Sequence, residues 1–269
     1  MTRAVLQPSF LKVVEPSSTP TVTPIPPQRL QPLRALRAFN RLMRDKEDTR
    51  QVFEIMQAMN GRSTLRGYRR LTATVEGGRL AYRRVELNPL LNDPAWLAAF
   101  APGTVGAAYR AFMRAENLSA EGLAEVSRAT RGREGVVIEL EHPVAWFGRR
   151  IRDSHDIWHI LTDYGRDALG ELCLVAFSYA QTRSLGWAVI AVGGSLRALR
   201  QRGGRRAVRA VVEAWRRGRA AAWLPGEDFE LLLRMPLDQA RRRLGLETPP
   251  TDYLAVPEPD RNGTFGAKA

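Results

Sequence analysis

The chain has 269 residues, 44% of them hydrophobic and 26% charged, which fits one large soluble domain or two small ones and excludes collagen, coiled coil and wholesale disorder. A single cysteine, Cys173, excludes an internal disulfide framework and any multi-thiolate zinc site, and fits a reducing compartment. The net charge is +13 and all but three of the 41 basic residues are arginine, a balance that favours contact with phosphates or an anionic surface.

Proline marks both ends. Seven prolines fall in residues 8–32 and four in 249–259. Such runs bury little and cannot sustain helix, so residues 1–28 and 248–269 are expected to be disordered, leaving residues 29–247 as one domain. Residues 33–44 read as a first, basic helix. Asp48 caps a second helix with Val52, Phe53, Ile55, Met56 and Met59 on its apolar face, stopped at Asn60–Gly61. Residues 71–87 are open to two readings, a hairpin turned at Gly77–Gly78 or a short helix. Asp93–Pro94 opens the next helix, and residues 104–116 place Val105, Ala108, Tyr109, Phe112 and Met113 on one side of another. Ser119 can cap a short helix to Ala129. Pro143 starts a helix expected to run to Tyr164, followed by helices at 167–182, 184–192, 205–219, 227–234 and 237–244. No run of alternating strands stands out, so the fold class is all-α, a single multi-helix domain.

The most apolar stretch, Leu172 to Val192, carries Gln181, Arg183 and Gly186 near its centre. A charge at mid-bilayer costs about 2.5–3.5 kcal/mol, so the stretch reads as buried helix and not as a membrane span. Residues 194–219 hold nine arginines and one acid, Glu213. On a helix Ala207, Val208, Val211, Val212 and Trp215 make an apolar stripe flanked by Arg205, Arg206, Arg209 and Arg216. This is either a solvated face packed on the core or an interfacial helix resting on acidic lipid. No nucleic-acid module is recognisable, and nucleic acid is not expected as a partner.

Two of the three histidines stand four residues apart, His155 and His159, with Asp156 between them. At about 100° per residue, His159 lies near 40° and Asp156 near 100° from His155, so all three share one side of a helix. Histidines so spaced can grip one metal ion. His155 also falls in the apolar stripe of Val144, Phe147, Ile151, Trp158 and Leu161 and is expected to point inwards, where an imidazole needs a partner. On a continuous helix Glu171 would lie about 160° away, but a stop at Tyr164–Gly165, with Asp167 capping the next helix, lets it fold back. Asp163 is a competing ligand. Two imidazoles and two carboxylates suit zinc, iron, manganese or cobalt. His142 is expected to bond locally at its helix start.

The pattern His155-Asp156-x-x-His159, eleven residues, then Glu171 resembles the motif of the Coq-four family of ubiquinone (coenzyme Q) biosynthesis proteins. Pro102-Gly103-Thr104, Gly106, Tyr109, Phe112 and Met113 resemble that family's central segment. Arg152 and Trp158 fit as well, and Leu224-Pro225, Asp228-Phe229-Glu230, Pro236-Leu237 and Ala240-Arg241 resemble the tail of bacterial members. The likeness covers roughly residues 30–246.

The resemblance implies a helical protein holding one divalent metal through His155, Asp156, His159 and Glu171, with zinc first among the candidates. It implies oxidative decarboxylation of a polyprenyl-hydroxybenzoate at ring carbon C1, coupled to hydroxylation of that carbon. The alternative is a non-catalytic prenyl-lipid-binding scaffold that organises the other ubiquinone biosynthesis enzymes. Arg152 is the candidate catalytic residue, pairing with the substrate carboxylate, against a plain salt bridge to Asp153 or Glu171. Tyr109, Phe112, Met113 and Phe177 are candidates for the prenyl-binding wall, with Leu172, Leu174 and Val175 beside them. Implied partners are a polyprenylated hydroxybenzoate or quinone precursor, the other biosynthesis proteins, the membrane surface and a second copy in a homodimer. The arginine-rich composition suggests a bacterial member, peripheral on the cytoplasmic face of the inner membrane. A phosphohydrolase of the HD type is a rival reading, but it needs a further downstream aspartate and matches the long motif less well.

Overall fold

The computed structural model describes residues 29–45, 48–116, 142–201 and 203–263. Helices follow one another as α1 (Pro32–Leu42), α2 (Thr49–Met59), α3 (Ser63–Thr72), α4 (Val75–Arg83), α5 (Leu87–Leu91), α6 (Pro94–Ala98), α7 (Val105–Ala115), α8 (Pro143–Asp153), α9 (His155–Thr162), α10 (Ala168–Thr182), α11 (Leu185–Ala198), α12 (Gly204–Ala220), a 3-10 turn (Leu224–Gly226), α13 (Phe229–Leu232), α14 (Leu237–Leu244), α15 (Thr251–Leu254) and α16 (Glu258–Gly263). Among the described residues there is no strand, and the one isolated β-bridge joins Thr104 and Pro236. The expected all-α domain is what the chain forms.

At the centre lies α10, whose residues from Leu172 to Ser178 are all buried. A helix apolar on every side must be wrapped by others, and α12 and α11 lie against it. The contact with α12 is close because the buried stripe of α12 is made of small residues: Ala207, Ala210, Val211, Ala214 and Gly218. The stripe is thus rotated from the one expected, and Val212 is exposed. A Cβ added at Gly218 would meet the Phe177 carbonyl oxygen at 2.8 Å and the Ala180 Cβ at 2.9 Å. Gly218→Val is therefore expected to destabilise the fold by about 1–3 kcal/mol, the usual effect of overpacking, read as a lowered Tm.

Several local readings resolve on structural grounds. Residues 71–87 hold helix α4 and not a hairpin: the Thr74 hydroxyl accepts the Gly77 N–H at 3.0 Å, a standard helix start. The helix expected to run unbroken from Pro143 to Tyr164 is two helices, α8 and α9. The joint is Ser154, whose hydroxyl donates back to the Ile151 carbonyl at 3.1 Å, a contact that bends helices. Helix α11 continues past residue 192 through Gly193, where the Phe39 ring occupies the space a side chain would fill. The apolar stretch from Leu172 splits into α10 and α11 at Arg183, which is left-handed (φ 55°). No helix among the described residues is long and apolar enough to cross a membrane. The helix expected at Ser119–Ala129 lies outside the described residues.

Packing also carries on past residue 247, where a disordered tail was expected. Tyr253 of α15 is 2% exposed, and the Glu213 carboxylate of α12 accepts hydrogen bonds from the N–H groups of Thr251 and Asp252 at 3.0 and 2.9 Å and from the Thr251 hydroxyl at 2.8 Å. Prolines 249 and 250 precede the helix here, where a missing N–H is harmless.

Candidate metal centre

Helix α9 presents His155, Asp156 and His159 together, with one ligand atom from each lying within 4.8 Å of the others. Asp163 in the left-handed conformation (φ 66°) ends α9. The chain then reverses through Tyr164–Arg166, and Asp167 caps α10 by accepting the N–H groups of Leu169 and Gly170 at 3.1 and 2.9 Å. The reversal brings Glu171 back onto α9, with its Oε1 3.5 Å from Nε2 of His159. The residue that turns the chain is thus Asp163. Gly165 serves closeness instead: a Cβ there would lie 2.7 Å from the Tyr253 hydroxyl. The carboxylate of Asp163 pairs with Arg241 at 3.2 Å, which engages the competing ligand elsewhere.

The imidazole of His159 is oriented from behind. Its Nδ1–H donates to the Tyr164 carbonyl at 2.9 Å, so in the neutral imidazole Nε2 carries the lone pair. That buried Nε2 makes no hydrogen bond and faces Glu171. The ring of Phe112 stacks on it, centroids 5.7 Å apart, and Trp187 of α11 stacks on His155 at 6.5 Å. His155 Nδ1 lies 3.4 Å from Asp156 Oδ1.

These groups polarise one another. Burial opposes ionisation of Glu171, but the His159 imidazole 3.5 Å away, with His155 and Arg166, outweighs it and brings the carboxyl down to about 2. Burial likewise opposes the charged forms of Asp156 and His159, yet the histidines lower the first, and Glu171, the Tyr164 carbonyl and Asp156 raise the second. Carboxylates held ionised beside two imidazoles, one with an orphaned buried nitrogen, fit a divalent cation such as zinc, iron, manganese or cobalt.

The other site residues divide. Tyr109 and Met113 on α7 are buried, and the Tyr109 hydroxyl has no hydrogen-bond partner. Burial, then Asp156 and Asp153, push its pKa up, so it stays protonated. Phe112 is half-buried against His159. Phe177 is fully buried against Trp158, centroids 6.3 Å apart, and its backbone abuts Gly218, so its ring packs inside the core. Arg152 is engaged in a salt bridge with Asp153 at 2.6 Å, with both side chains little exposed. The cation beside this cluster is Arg166, 3.5 Å from Glu171 and 3.7 Å from Glu116. Arg166 and Trp187 were not singled out from sequence: one sits in the reversal and the other on a distant helix, and only folding brings either to the motif. His142 caps α8, its Nδ1 accepting the Val144 N–H at 3.2 Å.

The family model described as "Coenzyme Q (ubiquinone) biosynthesis protein Coq4" matches residues 33–250. The chain belongs to the Coq4 family. It is 28% identical over 145 residues to the mitochondrial ubiquinone biosynthesis protein COQ4 of Mycosarcoma maydis. That alignment covers 54% of this chain and 37% of the relative, so the matched region spans just over a third of the relative's length. In fold the chain is similar to a crystal structure of a putative ubiquinone biosynthesis protein from Nostoc punctiforme, with a TM-score of 0.56. Identity there is 19%, with 82% of this chain and all of that one covered. The Coq4 match takes in the motif from His155 to Glu171 and every helix from α2 to α14.

Proposed function

We propose that this Coq4 member is a metal-dependent enzyme of ubiquinone biosynthesis that removes the C1 carboxyl group of a polyprenyl-hydroxybenzoate as CO2, with hydroxylation of that carbon at the expense of an external two-electron oxidant such as dioxygen. The observation that carries the reading is the meeting of His155, Asp156 and His159 with Glu171 across a chain reversal, with Nε2 of His159 buried, without a hydrogen bond and 3.5 Å from the Glu171 carboxylate. These four residues would hold the cation. Bound there, a divalent metal supplies charge stabilisation for a carboxylate or phenolate as the ring bond to CO2 breaks.

The chain's own groups supply the rest. Arg166 beside Glu171 can fork onto a substrate carboxylate, a role that Arg152 would take only by leaving Asp153. The Tyr109 hydroxyl, protonated and unpartnered, can donate to a ring oxygen. Phe112 and Trp187, stacked on the two histidines, give an aromatic surround in which water competes poorly. Removing the Tyr109 hydroxyl relieves an unsatisfied buried group. Tyr109→Phe is thus expected to leave Tm unchanged or raised while slowing CO2 release about tenfold or more, as loss of one hydrogen bond of about 1.5 kcal/mol requires.

A prenylated substrate resides in a bilayer, and α11 offers a route to one. Its inner N-terminal end places Trp187 on His155, while its outer face exposes Leu185, Val192 and Leu196, with Leu199 just beyond its end. The exposed Arg205, Arg206 and Arg209 of α12 follow directly. An apolar strip beside arginines suits the surface of an anionic membrane, and peripheral attachment there is part of the proposal.

The test is direct. The purified protein is assayed for bound metal and incubated with a carboxylated prenylphenol, with CO2 and products followed by mass spectrometry. Metal-dependent CO2 release is expected. Tight binding of the prenylphenol without turnover would replace this reading with that of a scaffold presenting precursors to other enzymes.

A further inference from the structure

The turn between α9 and α10 is held from outside by the C-terminal strap of α15 and α16, residues 251–263, which begins just beyond the family match ending at residue 250. The decisive element is one peptide group. The bond between Tyr164 and Gly165 has its carbonyl accepting His159 Nδ1–H at 2.9 Å, and its N–H donating to the Tyr253 hydroxyl at 3.0 Å. A peptide group is planar, so holding the N–H fixes the direction of the carbonyl on its other side. The Tyr253 hydroxyl in turn donates to Oδ2 of Asp167, the residue that caps α10 and so sets where Glu171 stands.

The strap is well anchored for such a role. Tyr253 is 2% exposed, its ring packs edge-on against Tyr164 with centroids 5.4 Å apart, and Arg261 of α16 covers it at 4.5 Å. Glu213 ties down the start of α15, and Arg217 bridges the Thr162 carbonyl on α9 to the Thr248 carbonyl, each at 2.9 Å. Gly165 leaves the space the phenol occupies.

We propose that Tyr253 is a positioning residue for the metal centre, completing a line from the Asp167 carboxylate through the phenol and the Tyr164–Gly165 peptide to His159. The inference rests on the metal-binding reading of the motif. Each hydrogen bond polarises the next, so the charge on Asp167 makes the carbonyl a better acceptor. The better acceptor holds His159 with its proton on Nδ1 and its Nε2 lone pair towards the site. Carboxylates commonly orient metal-binding histidines by direct contact; here the contact is relayed through the tail of the chain.

The experiment uses the full chain with Tyr253→Phe, which keeps the ring and deletes the relay. Two readouts are taken. Zinc and cobalt dissociation constants are measured by competition titration, and the tautomer of His159 in the metal-free protein is read from its imidazole nitrogen shifts by NMR. The variant is expected to bind both metals about tenfold more weakly, at the lower end of the range of about 10–100-fold for partners behind a ligand. His159 is expected to change from the pure Nδ1–H form to a tautomer mixture. Affinities within twofold of the parent protein with an unchanged tautomer would overturn the proposal, as would a lowered Tm with both readouts intact, which marks a purely structural contact. Should Tyr253→Phe fail to fold, Glu213→Ala loosens the strap at a distance and is held to the same two readouts. If the parent protein binds neither metal, the metal-binding reading fails on its own, and the tautomer readout alone decides the role of Tyr253.

Discussion

His159→Ala is expected to empty the metal centre while leaving the fold standing. His159 is the proposed ligand most completely controlled by its surroundings: 2% exposed, bonded through Nδ1 to the Tyr164 carbonyl, stacked on Phe112, and turned so that Nε2 faces Glu171. On the proposed assignment removing it deletes a direct ligand, so the loss of affinity should exceed the roughly 100-fold that marks the upper range for partners behind a ligand. The cavity left behind should lower stability by about 1–3 kcal/mol, within the margin of about 5–15 kcal/mol of a typical domain. Metal content after dialysis, together with Tm, separates the two effects. A folded variant with full metal content would remove His159 from the ligand set. Asp156→Asn keeps the shape and deletes the charge, so it should weaken binding less than His159→Ala does.

The second large effect is expected at a membrane. Arg205, Arg206 and Arg209 changed together to glutamine should weaken sedimentation with anionic vesicles about 100-fold at low salt, since each basic residue near such a surface contributes about 1 kcal/mol. All three are exposed on α12, and none is within the metal centre, so metal content should be unchanged. Physiological salt should reduce this part, because charges are screened within about 8 Å. The outer residues Val192, Leu196 and Leu199 contribute differently. They are 49–60% exposed and uncharged, and Val192→Ser with Leu196→Ser and Leu199→Ser should remove the binding that survives high salt. Vesicle binding unchanged in the arginine variant at low salt would make the basic face of α12 a solvated surface only.

Sequence by itself determined the helical class, the motif and the break before Glu171. Helical spacing is local: His155, Asp156 and His159 share a face because α9 is a helix, whatever it packs against. The Asp167 cap and the Pro143 and Thr104 starts are likewise local chemistry, legible without neighbours. The rotation of α12 was not legible, because its small residues are buried through the close approach of α10 and the larger Val212 is left outside. The partner of Arg152 also needed the fold. Either of two acids, Asp153 or Glu171, was open as its partner from sequence, and packing pairs it with Asp153. Phe177 shares α10 with Glu171, but burial against Trp158 commits it to the core. Tertiary structure alone brought Trp187 and Tyr253 to the motif, since contacts that join residues 28 to 98 positions from His155 or His159 leave no periodic trace in the chain, as the hold of Tyr253 on the peptide behind His159 illustrates.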